Sequence, residues 1–195
     1  MRTGDPQLRP VHLVLGALPD ADGATRMTAG PVVVIGLGNR YRRDDGVGIV
    51  AAAALDELGL PDIRVVTDVV EPMGLVEAWS GARLAVVIDA VVATPPMPGR
   101  VTRCALGDLV TATDGVSSHR VDVAAAYALG QALARVPDRL EVVSVEAADT
   151  GHGVGLTPQV AAAVPAAVSM AVDLAAEVVP VAARRDRDWS HQGYE

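Results

Sequence analysis

The chain has 195 residues, half of them hydrophobic but only 3% aromatic and none of them Phe, so a single domain with a core of Val, Ala and Leu is expected. Its net charge of -8 falls entirely on residues 31–183, because acids and bases cancel in 1–30 and 184–195, and this argues against a nucleic-acid or anionic-membrane partner. With one Cys and no Lys, the sequence excludes a disulfide framework, a Cys-rich zinc site, an iron–sulfur cluster, a Schiff base and a Walker lysine.

Residues 1–30 mix Pro, Gly, Asp and Arg without periodicity and are expected to form a disordered tail. The apolar stretch 11–18 is too short, and too interrupted by His12, for a secretory signal. Met27 stands just before the first convincing strand, so translation starts either at Met1 or at Met27. No run of 18 apolar residues is present, so no membrane span is expected, and the single Cys points to the cytoplasm.

Strand and helix then alternate through one α/β domain, 31–183. Residues 32–37 read as an apolar strand ending in a Gly-rich turn. Residues 45–58 read as a helix, with Asp44 and Asp45 placed to meet the positive end of its dipole. A second strand is expected over 63–70 and a short helix over 73–79, with Pro72 in its first turn. Residues 84–88 are apolar throughout, as in a strand buried on both faces.

Pro95, Pro96, Pro98 and Gly99 make a sharp loop before a fourth strand, 100–105, and the hairpin-like spacing there suggests that one strand runs antiparallel. A long Ala-rich helix is expected over 119–136, a fifth strand over 140–145 and a final helix over 157–178. Thr157 would be its N-cap and Pro158 its first residue, while Pro165 should kink or interrupt it. Residues 184–195 read as a polar tail. The expected architecture is a three-layer α/β sandwich: a five-stranded, mostly parallel but mixed sheet flanked by helices.

Ligands of open α/β sheets bind beyond the carboxyl ends of the strands. The polar residues expected there are Asn39, Asp44, Asp45, Asp89, Ser117, Ser118, His119, Glu146, Asp149 and His152. A dinucleotide fingerprint fails, since the third glycine after Gly36 and Gly38 would fall on Tyr41. No nucleophile elbow is present, and Cys104 reads as an inert thiol within a strand.

Asp89 ends a buried strand, where an ionised carboxylate has to be paired, hydrogen-bonded or bound to metal. Asp45 is either a helix cap or a ligand, and His119 either an exposed residue of a first turn or a ligand. Taken together, Asp45, Asp89 and His119 form a three-ligand oxygen–nitrogen set suited to zinc, nickel, cobalt or manganese, with room left for water or substrate.

Four segments then carry a resemblance. Gly36-Leu37-Gly38-Asn39 with Asp44-Asp45-Gly46-x-Gly48, Val87-Ile88-Asp89-Ala90, Ser117-Ser118-His119 and Gly155-Leu156-Thr157-Pro158 occur in the order and with the gaps of the nickel–iron hydrogenase maturation endopeptidases, which the chain resembles over roughly 32–178.

The resemblance implies a helix-sandwiched sheet and a cytoplasmic protease that removes a C-terminal peptide from the nickel-loaded large-subunit precursor of a hydrogenase. It also implies that Asp45, Asp89 and His119 contact a divalent metal, nickel supplied by the substrate, for which zinc or another divalent ion can substitute. Gly38, Asn39 and Gly74 are the expected substrate contacts. The sequence departs from the family at Asp45, where many members carry Glu, and at Val70-Glu71-Pro72-Met73-Gly74, where many carry a Gly-Gly-Thr type loop. The alternative is a metal-binding or chaperone-like α/β module without hydrolytic activity.

Overall fold

The computed structural model describes residues 30–67, 69–105 and 123–178. Apart from Gly30, the two expected tails, Met27 among them, and the segment with Ser117, Ser118 and His119 lie outside the described residues.

In chain order the elements are β1 (Val32–Gly36), a single 3-10 turn (Arg43–Gly46), α1 (Val47–Asp56), β2 (Ile63–Val66), α2 (Pro72–Trp79), β3 (Leu84–Val91), β4 (Val101–Ala105), α3 (Val123–Ala132), β5 (Leu140–Glu146) and α4 (Pro158–Val178). The sheet order is β2-β1-β3-β5-β4. All neighbours pair in parallel except β4, which runs antiparallel to β5. The expected mixed sheet is present, and so is its one reversed strand.

Alternation along the strands builds two cores. Val32, Val34, Leu84, Val86, Ile88, Val143 and Val145 face α1 and α4, while Val33, Ile35, Ala85, Val87, Leu140 and Val142 face α2 and α3. With both faces covered, β5 is buried along its whole length and β3 along all but its last residue. On α4, Ala163, Ala167, Ala171 and Ala175 recur at every fourth position, a flat stripe that seats the helix close to the sheet. This helix is long and apolar enough to cross a membrane by length and composition, yet its Ala stripe is part of the core. In the second core, Trp79 does the work of the missing Phe. It is fully buried, and its indole N–H donates to the Arg135 carbonyl at 3.1 Å.

Three local expectations need correction. The acids 44 and 45 do not open α1; they sit in the 3-10 turn ahead of it, and α1 begins at Val47. Strand β2 ends at Val66 rather than 70, because the chain leaves the sheet edge there and Val70 stands almost fully exposed. Pro165 does not interrupt α4, which is a single helix of 21 residues. Pro165 is on the exposed face, and so is Ala161, whose carbonyl loses its helical partner and can turn to water instead.

At the amino end of β5, Glu141 is buried and accepts from Arg103 Nε and Nη2 at 3.0 Å each and from Arg139 Nε at 2.8 Å. The same two guanidiniums reach Glu177 on α4 at 3.3 and 2.7 Å. Burial pushes the Glu141 carboxyl up, but the hydrogen bonds and charges of Arg103 and Arg139 outweigh it and hold the group below the usual carboxylate range. This network ties the β4 edge and α4 to β5.

Candidate active site

Strand β1 leads through α1 to β2 on one side, while β3 lies on the other side of β1. The carboxyl ends of β1 and β3 therefore form a topological switch point, where open α/β sheets hold their ligands. Asp45 follows β1 there, and Asp89 sits near the end of β3.

The glycines of the first motif bring these elements together. A Cβ on Gly48, in the first turn of α1, would lie 2.2 Å from the Ile88 carbonyl oxygen and 2.4 Å from that of Leu37. The helix start is thereby pressed onto the ends of β1 and β3, with the Leu37 amide donating to the Ile88 carbonyl at 2.9 Å. Gly38 has φ +123, and a Cβ there would lie 1.7 Å from the Asp45 carbonyl oxygen. The loop can fold back on itself only because that position is glycine.

Asn39 holds this fold-back. Its amide donates to the Asp45 carbonyl at 3.3 Å, its carbonyl accepts from the Arg42 amide at 2.9 Å, and its Oδ1 accepts from the Tyr41 amide at 2.9 Å. The side chain expected to contact substrate thus shapes the turn that presents Asp45.

The tandem acids part company. Asp45 is half-buried, and its carboxylate makes no hydrogen bond or ion pair among the described residues; the 3-10 turn that carries it packs on β3. Asp89 is 5% exposed, and its Oδ1 accepts from the Ala90 amide at 2.8 Å.

Asp44 has no solvent exposure. Its Oδ1 accepts from the Thr157 amide at 2.6 Å, and its Oδ2 from the Ala148 and Asp149 amides and the Thr157 hydroxyl, each at 2.9 Å. Burial alone would raise this carboxyl, but the amides of Thr157, Asp149 and Ala148 and the Thr157 hydroxyl together hold it below the usual range. The acid expected to serve the dipole of α1 thus sits at the start of α4, and the Thr157 hydroxyl, expected to cap α4, donates to Asp44 instead.

Sequence reasoning gave Asp44 no role beyond the dipole of α1. The available signal was the tandem itself: successive residues in a 3-10 turn point about 120° apart, so two adjacent acids cannot face one site.

The other polar residues around the site are held locally. Arg42 Nε donates to the Thr150 carbonyl at 3.1 Å, and Arg43 Nε lies 3.3 Å from the Asp149 carboxylate, so neither cation is simply free for a partner. Arg40 and Tyr41 are exposed at the tip of the same loop. His152 is exposed between Gly151 and Gly153, and its loop is tied to the first one by the Gly153 amide on the Tyr41 carbonyl at 2.9 Å.

Glu146, buried at the end of β5, is paired with Arg100 and accepts from the Met97 amide at 2.8 Å, which pins the 95–100 loop. Gly74 is in the first turn of α2 rather than in a loop, and its amide is already spent on the Glu71 carbonyl at 3.0 Å. His119 lies outside the described residues; α3 begins four positions later, at Val123. Among the described residues, no three His, Cys, Asp or Glu side chains gather closely enough to hold a metal.

These features define a three-layer α/β protein with two acids at the switch point of its sheet. The model of the hydrogenase maturation protease family matches residues 63–174, more than half of the chain. The chain belongs to that family, and it is a protease of hydrogenase maturation.

Solved structures agree on the fold. The hydrogenase maturating endopeptidase HybD from E. coli superposes with a TM-score of 0.66 at 20% identity, covering 75% of this chain and 93% of its own. The [NiFe] hydrogenase maturation protease HybD from Thermococcus kodakarensis gives 0.65 at 26% identity, covering 74% and 99%. HycI from the same organism, also a [NiFe] hydrogenase maturation protease, gives 0.54 at 19%, covering 75% and 91%. No curated relative matches the chain.

Proposed function

We propose that the protein is a metal-assisted endopeptidase that removes a C-terminal peptide from the nickel-loaded large-subunit precursor of a nickel–iron hydrogenase, in the cytoplasm. The observation that carries this reading is Asp45. It is a half-buried carboxylate without a partner among the described residues, on a turn packed against β3, at the end of the sheet where Asp89 lies. A carboxylate placed this way at a topological switch point is available to a cation brought by a substrate.

Asp45, Asp89 and His119 are the residues that would contact the nickel of the precursor, a donor set of oxygen and nitrogen in keeping with that ion or with zinc. When bound, such an ion polarises a carbonyl and lowers the pKa of a water. The chain's own part is positional. The Gly38–Asn39 fold-back presents Asp45, and the strand end presents Asp89.

Incubating the protein with precursor loaded with nickel, and with the same precursor lacking it, tests the reading. Shortening of the loaded form alone is the expected result. If neither form is cut while a control protease works on both, the metal-binding or chaperone-like alternative replaces it.

A further inference from the structure

We infer that Asp44 is a positioning residue: a buried anionic staple that fixes Asp45 relative to Asp89 by locking the β1–α1 loop to the β5–α4 loop. The inference rests on the endopeptidase reading for its consequence, but the staple itself is a matter of geometry.

Its carbonyl accepts from the Val47 amide within its own segment, but five further hydrogen bonds of Asp44 cross between those loops. Four donors converge on the carboxylate from Ala148, Asp149 and Thr157, and the Asp44 amide donates back to the Asp149 carbonyl at 3.1 Å. The Arg43 amide on the Gly153 carbonyl at 3.0 Å and the Gly153 amide on the Tyr41 carbonyl at 2.9 Å continue the seam.

The far side of the seam is rigidly attached to the strand that carries Asp89. Strand β5 pairs with β3 with Ser144 opposite Asp89, and the Ala147 amide donates to the Val91 carbonyl at 2.8 Å. Asp45 itself has no such anchor. Its backbone bonds, to Arg42 and Asn39, stay within its own loop. The path from Asp89 across β5 to Asp44 is therefore a direct one that sets where the next residue stands.

A carboxylate suits this task because it accepts at both oxygens and donates at neither. In Asp44→Asn, whichever way the amide turns, its NH2 group faces an N–H donor. The seam should open while the two cores, built on the other residues, persist. Thr157→Val is the milder probe, removing one donor of the four.

The full-length wild type, Asp44→Asn, Thr157→Val and a control, Glu141→Gln at the opposite end of β5, would be compared. Two readouts are needed: hydrogen exchange at the amides of Ala148, Asp149 and Thr157, and the separate kcat and KM of precursor processing. In Asp44→Asn, exchange at those amides should rise and kcat fall about a hundredfold, the scale of a small misplacement of a reacting group, with KM little changed. Thr157→Val should move both readouts in the same direction by less. Glu141→Gln should lower the melting temperature without changing kcat.

If Asp44→Asn opens the seam but cuts at the wild-type rate, the positioning role is overturned while the endopeptidase reading stands. The role is also overturned if Glu141→Gln loses kcat in proportion to its stability, since Asp44 would then be merely structural. If Asp44→Asn does not fold, an unchanged kcat in Thr157→Val with raised exchange overturns it equally. A wild type that leaves the precursor whole overturns the functional reading, and the positioning role with it.

Discussion

Two buried carboxylates, Glu141 and Asp44, near opposite ends of β5, are held in opposite ways. At the amino end, Glu141 meets two guanidiniums, and Glu177 shares them, so two acids and two bases close into a network with no net charge. At the carboxyl end, Asp44 is buried just as fully but is held by three amides and a hydroxyl, all uncharged. Both groups stay ionised, yet only the first has its charge cancelled. The second leaves a fixed negative charge beside Asp45, whose own carboxylate has no cation among the described residues. Dipoles can hold an acid charged without neutralising it, and that is what the proposed contact with a cationic centre would require.

The largest test of this contrast is to remove the acids that would do chemistry. Asp89→Asn and Asp45→Ala should each cut the processing rate by more than about a hundredfold, since groups that merely support metal ligands already reach that scale. Far-UV circular dichroism should show the fold intact. Processing at the wild-type rate in either variant would break the site assignment. His119→Ala is expected to behave in the same way.

Next in size is Gly48→Ala, which attacks the shape of the carboxyl end rather than its charge. Its methyl would meet two carbonyl oxygens inside 2.5 Å, so α1 would have to lift off the strand ends. A loss of about 3 kcal/mol in denaturant unfolding is expected, at the upper edge of overpacking. Activity should fall with it, because the lifted helix carries the Asp45 turn away from β3.

Much of this frame was legible in the sequence. The apolar runs of β1, β3 and β5 have to be buried on both faces, and the Pro95–Gly99 corner marked the one reversed strand. Less legible was anything decided by two segments meeting. Asp44 is more than a hundred residues from Ala148, Asp149 and Thr157, and no local pattern says that the first acid of a tandem is buried against the far loop while the second stays half-buried. The same holds for Pro165, whose effect depends on which face of α4 is exposed. It holds for Thr157 too, whose hydroxyl had an unseen rival partner.

Acidification should weaken both ends, and the sign follows from the directions of the shifts. Asp44 and Glu141 are both held below the usual carboxylate range in the folded protein. The unfolded chain therefore takes up protons first as pH falls, and stability is lost progressively from about pH 5 downward through the folded-state pKa values. Above that window the contribution is complete. Glu141→Gln should flatten part of this acid limb, and at neutral pH should cost about 1–2 kcal/mol for the charged hydrogen bonds it loses. Its processing rate near neutrality should stay that of the wild type, which would separate the amino-end network from the site.

The smallest expected effect is that of Asp45→Glu, read against the same chemical change at the adjacent position. Asp45→Glu adds a methylene to a half-buried carboxylate that no described group holds in place, and the longer arm has room to reorient. Processing should remain within about tenfold of the wild type, since such a change shifts the acid without removing its charge. Asp44→Glu adds the same methylene where exposure is zero and four donors have fixed positions, and overpacking should cost about 1–3 kcal/mol. If thermal melts instead showed Asp45→Glu to be the more damaging of the two, the roles of the tandem acids would have to be exchanged. If both were equally tolerated, the seam would be too loose for Asp44 to position its neighbour. A difference in the expected direction would show that burial and partner geometry, rather than residue type, divide the structural acid from the one offered to the substrate.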